Sequence, residues 1–175
     1  MKARRQALRL SATLAAVGLA GCMPARRFPG PVPESLTPVA LNPANVPQLD
    51  GFSGAVKVGL TVFLSGQVAL DASGRVVGAD SLQVQLRQSL ENLVALVRAA
   101  RGLPGDVVKL TVYVVNYRPE DYKTIQSVAA EVLTAEAKPA VTVVGVSTLP
   151  LPELLVAVDG IASLRGALPD RERQQ

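Results

Sequence analysis

The spacing of apolar positions changes several times along this chain, and each change marks a predicted element. Residues 55–67 hold two short β-branched runs, Ala55-Val56-Lys57-Val58 and Thr61-Val62-Phe63-Leu64-Ser65-Gly66-Gln67, which predict two strands about Gly59. Asp71-Ala72-Ser73-Gly74 reads as a turn. The period then becomes helical: Leu82, Leu86, Leu90, Leu93 and Val97 form one face of a helix. Asp80 with Gln83 predicts a capping box at its start, and Gly102 a stop at its end. Val107–Val115 is dense in β-branched residues and predicts a buried strand. Pro119 suits the first turn of a second helix with Tyr122, Ile125, Ala129 and Val132 on one side. Two more strands are expected at 140–147 and 154–162, joined by Leu149-Pro150-Leu151-Pro152. The order ββαβαββ predicts an α+β fold, with both helices on one face of a mixed sheet.

Upstream the pattern is of another kind. Residues 1–21 carry Lys2, Arg4, Arg5 and Arg9 and no acidic residue, and an apolar run from Leu10 to Ala20 follows. That is the layout of a secretory signal, and its apolar run covers only about half of a ~30 Å hydrocarbon core. The segment closes on Leu19-Ala20-Gly21-Cys22, which resembles the bacterial lipobox, in which the Cys is lipidated and becomes the mature N-terminus. Residues 22–50 hold seven prolines after Met23 and predict an extended tether, the alternative being an ordered arm that packs on the domain through Phe28, Leu36, Val39 and Leu41. A domain at 51–164 and a charged tail at 165–175 complete the expected organisation. The protein is therefore expected to be exported and membrane-anchored through lipid on Cys22.

Charge changes meaning once the leader is set aside. The chain has 18 Lys+Arg against 14 Asp+Glu, but four of the basic residues lie in 1–21, leaving 14 against 14. Residues 51–164 hold nine basic and ten acidic residues, so the domain offers no basic face and no electrostatic warrant for nucleic-acid binding. The absence of His excludes His-based acid–base or nucleophilic catalysis. With no His and one Cys, the usual zinc and iron–sulfur ligand sets cannot be assembled within one chain, and no metal is expected.

Five strings, in order, resemble one family: Ala55-Val56-Lys57-Val58-Gly59, Phe63-Leu64-Ser65-Gly66-Gln67-Val68, Gln88-Ser89-Leu90-Glu91-Asn92-Leu93, Lys109-Leu110-Thr111-Val112-Tyr113-Val114 and Lys138-Pro139-Ala140. Together they make the domain similar to the Rid/YjgF, or reactive intermediate deaminase, proteins. The resemblance implies a chorismate-mutase-like fold, a homotrimer, no cofactor, and clefts between subunits that bind small carboxylates. In deaminating members water adds to an imine or enamine and ammonia leaves. An Arg after Pro-Ala clamps the substrate carboxylate, and a Glu on the last strand positions the water.

Carried onto this chain, the resemblance places Val141 where deaminases have Arg, followed by Thr142, and Asp159 where the last-strand Glu would be. Phe52 takes the aromatic position without a hydroxyl, Ser65 and Gly66 match the cleft turn, and Asn116 falls near a family Asn. Each residue also has a plainer reading. Val141 alternates with Val143 and fits a core position. Asp159 fits a structural hydrogen bond, and Ser65-Gly66 a strand bulge. An isopropyl group cannot pair with a carboxylate. The expected function is thus small-molecule binding in an inter-subunit cleft without standard imine deaminase activity. The alternative is a deaminase or hydrolase that uses Asp159 to orient water. An endoribonuclease is the weakest reading, for want of His and of positive charge.

Overall fold

The protein, examined as a computed structural model, is described over residues 36–48, 50–134 and 138–165. The expected signal at 1–21, Cys22, the first part of the tether and nearly all of the tail lie outside the described residues. The elements are β1 (Val39–Leu41), β2 (Ala55–Val58), β3 (Thr61–Val68), α1 (Leu82–Ala99), β4 (Val107–Val115), α2 (Asp121–Leu133), β5 (Ala140–Val146) and β6 (Val156–Ser163). They form one six-stranded sheet in the order β1-β2-β3-β6-β4-β5. Every pairing is antiparallel except β4 with β5. The expected mixed sheet with two helices on one face is present, with a further strand at its start.

That strand corrects the expected domain boundary. Val39, Ala40 and Leu41 pair with Lys57, Val56 and Ala55, and Val46 is buried in the core. Asn42 Oδ1 also accepts the Gly54 N–H at 2.8 Å. Proline excludes helix but not an edge strand, so the end of the Pro-rich stretch belongs to the domain.

α1 is buried far beyond its leucine stripe. Leu86, Leu90, Leu93 and Val97 are fully buried and Leu82 is half-buried, as the spacing predicts, but Gln85, Ser89 and Asn92 are buried too. The N-cap is Ser81, whose side chain accepts the Val84 N–H, so Asp80 falls one residue outside the expected capping box. At the other end Arg101 takes the left-handed conformation, with φ 67°. The Gly102 N–H reaches Val97 O at 2.9 Å and closes a Schellman turn. Gly102 is small for a packing reason, since a Cβ there would lie 2.5 Å from Leu164 Cδ2.

α2 starts later than expected, at Asp121, with Pro119 in the preceding turn. Its inward face is Ile125, Val128 and Leu133, with Ala129 and Val132 at the core's edge, while Tyr122 is exposed. β6 starts at Val156 rather than Leu154 because residues 151–154 close a turn, Leu154 N–H to Leu151 O. Arg165, expected in the tail, donates to the buried Asp106 at 2.9 Å.

The buried amide of Gln85 ties α1 to the loop before β6. Its Nε2 donates to Glu153 O at 2.7 Å and its Oε1 accepts the Leu155 N–H at 2.7 Å. Gln85→Ala leaves both backbone groups without that partner and should cost about 1–3 kcal/mol. Exposed Gln83→Ala should cost less than about 0.5 kcal/mol. Urea unfolding of the two variants beside the wild type measures the difference.

Candidate functional site

A cleft of about 710 Å³ opens where β3 breaks its register. The pairing of β3 with β6 shifts between Leu64 and Gln67, so Ser65 and Gly66 form a bulge facing the cleft. The plain reading of that pair as a strand bulge holds, and the bulge forms part of the cleft wall. Phe52 and Ser53 come from the loop before β2, Pro150, Leu151 and Leu154 from the loop before β6, and Tyr113 and Ala157 from β4 and β6.

Two of its hydroxyls, Ser65 and Tyr113, are committed to internal hydrogen bonds. Ser65 Oγ donates to Gly54 O at 2.7 Å and accepts from Gln67 Nε2 at 2.9 Å. The hydroxyl proton is thus held by a carbonyl, and no neighbouring base is placed to draw it off. Asn92 Nδ2 donates to Val68 O and Leu70 O at 3.0 and 2.9 Å, fastening a third wall to α1. Two large apolar side chains of the lining are exposed, Phe52 at 76% and Leu151 at 39%.

The remaining sequence candidates lie elsewhere. Asp159 pairs with Thr111 on the sheet face away from the helices, and its carboxylate accepts the Tyr113 hydroxyl at 2.8 Å. It does not line the cleft; Ala157, two residues earlier, does. Asp159 therefore reaches the cleft only through the phenol it holds. Val141 pairs with Leu110, which is buried under the helices, so Val141 and Asp159 point to opposite faces of the sheet. Val141 is 45% exposed rather than a core residue. It lines a second cavity, of about 630 Å³, between α2 and β5, together with Gln126, Lys123 and Lys138.

Thr142 turns to the open face, where its Oγ1 accepts from Lys109 Nζ at 2.8 Å. Asn116 is an exposed turn residue with φ 54°, a conformation that Asn tolerates, and it lines neither cavity. The lining residues Tyr113, Ala157 and Leu151 and the amides Gln85 and Asn92 were not singled out from sequence. Polar residues inside an apolar helical stripe were the available signal for the two amides.

With this geometry in hand, the comparisons decide the family. The sequence profile of the family described as Endoribonuclease L-PSP, that of the Rid/YjgF proteins, matches residues 43–164. The chain belongs to this family. It is 38% identical over 120 residues to a RutC family protein of Pyrococcus horikoshii, covering 67% of this chain and 91% of the relative. A 2-iminobutanoate/2-iminopropanoate deaminase of Salmonella typhimurium is 35% identical over 112 residues, 63% of this chain and 84% of the relative. Among solved structures, the E. coli YjgF gene product matches with TM-score 0.64 and 30% identity, covering 73% of this chain and 99% of that one. E. coli TdcF with bound serine matches with TM-score 0.64 and 28% identity over 73% and 99% of the two chains. The family match begins within the Pro-rich stretch, in accord with the buried Val46.

The phenol that joins cleft to carboxylate has a measurable signature. The hydrogen bond to Asp159, with burial adding to it, raises the Tyr113 pKa above its ordinary value of 10.0. The folded state therefore holds the neutral phenol more tightly than the unfolded state does. The contact's stabilisation is complete below the ordinary value and is lost as pH rises through the raised one. Spectrophotometric titration of the three tyrosines should show one ionising late. Asp159→Asn should bring that ionisation down towards the ordinary range.

Proposed function

We propose that this Rid-family protein binds a small molecule in clefts between the subunits of a homotrimer, is exported and lipid-anchored at Cys22, and lacks standard imine deaminase activity. The observation that carries the reading is the state of the two groups the chemistry would need. The position of the carboxylate clamp is held by Val141, whose isopropyl group cannot pair with a carboxylate, and the Asp159 carboxylate is already engaged by the Tyr113 hydroxyl. Water positioning by Asp159, the alternative reading, draws no support from this geometry.

The trimer reading is supported by the sheet face opposite the helices. No described element covers it, yet it carries Phe63, which is 50% exposed, beside its partly exposed partner Ile161. A second copy seated there would bury apolar surface worth roughly 25 cal/mol per Å². Export and anchoring rest on the four basic residues, the apolar run and Leu19-Ala20-Gly21-Cys22. Two acyl chains anchor stably where one is marginal.

Three outcomes test the reading. In a bacterium the wild type should fractionate with membranes and Cys22→Ser should not; equal solubility of the two would remove the anchor. Light scattering on the Cys22→Ser protein should give three times the chain mass, and a monomer would remove the inter-subunit cleft. With an amino-acid oxidase supplying an imino acid, the wild type should not speed its loss. Val141→Arg should move towards doing so, because a charge-assisted contact contributes about 1.5–3 kcal/mol, roughly 10- to 150-fold in binding. Acceleration by the wild type would establish the enzyme reading instead.

A further inference from the structure

We infer that the cleft lined by Phe52 and Leu151 selects an uncharged, largely apolar small molecule. The inference deepens the reading above and rests on it for the cleft being the ligand site. Among the described residues that line the cleft, none carries a formal charge. An anion entering it would give up water without meeting a cation in these walls, which is unfavourable. Two of the lining hydroxyls donate elsewhere, Ser65 to Gly54 O and Tyr113 to Asp159, and Ser53 and Gln48 add only uncharged polar groups.

What the walls do offer is apolar contact. Phe52 and Leu151 are large side chains left substantially in water on two different loops, and a ligand packed on them would bury both. The volume of about 710 Å³ is that of a small-molecule site. The Tyr113 phenol, bonded to Asp159, adds a neutral aromatic ring to the lining. Basic side chains that could reverse this preference, Lys123 and Lys138, line the other cavity, beside Val141.

The test compares two probes of nearly one shape and different charge, 2-naphthamide and 2-naphthoate. Each is titrated calorimetrically into the full chain carrying Cys22→Ser, purified without detergent. The amide should bind saturably and at least tenfold tighter than the carboxylate. Phe52→Ala, at an exposed position that does not burden folding, should weaken the amide at least fivefold, and Leu151→Ala should act in the same direction. No saturable amide binding, or naphthoate binding as tightly as the amide, overturns the ligand class. If naphthoate prevails and Lys138→Ala abolishes it, the overturning cation is located on the neighbouring rim. Amide binding that ignores both Phe52→Ala and Leu151→Ala instead overturns the cleft as the ligand site.

Discussion

Loops with little regular structure of their own form most of the cleft, so its shape depends on what holds them. The buried amides of α1 do this. Gln85 grips Glu153 and Leu155 behind one wall, and Asn92 grips Val68 and Leu70 behind another. Each amide meets backbone groups that would otherwise lack a partner, and a buried unpaired group is costly. The leucines of the same helix seal the core beneath. One helix therefore supplies both the apolar burial that makes the domain fold and the polar contacts that set its cleft. A third wall, the loop before β2, is tied by Asn42 and Ser65 to Gly54.

Sheet geometry then decides which chemistry can meet. Alternation along β4, β5 and β6 sends Val141 to the helix side and Asp159, with its phenol, to the other. Within one protomer these positions cannot converge on a single small ligand. The family fold is present, the position after Pro139-Ala140 is Val141, and the Asp159 carboxylate is held by the Tyr113 hydroxyl. A sheet needs only apolar alternation, whereas imine chemistry needs particular charges at particular atoms, so the fold alone does not carry the activity.

Much of the fold was legible in the sequence because its signals are periodic. Strands β2 to β5 and helix α1 follow from alternation, β-branched density and the leucine stripe. The errors have local causes. Asp80 and Ser81 are both capable caps, and spacing alone does not separate them. Tyr122 sits at helical spacing from Ile125 yet belongs to the exposed start of α2. β1 was legible only as the alternative of an ordered arm, because proline density reads as linker until a partner strand supplies its hydrogen bonds. The cleft was legible only in part. Phe52, Ser65 and Gly66 line it, whereas Asp159, Asn116, Thr142 and Val141 do not. A shift of two residues along β6 exchanges Asp159 for Ala157, and sequence alone carries no marker of which position the β3 bulge will face.

The most direct measurement is a crystal structure of the protein soaked with 2-naphthamide. This account predicts density for the probe between Phe52 and Leu151, over the Tyr113 ring, with Ser65 still bonded to Gly54. Density confined to the cavity of Val141, Gln126 and Lys138, with the Phe52 cleft holding only water, would contradict it.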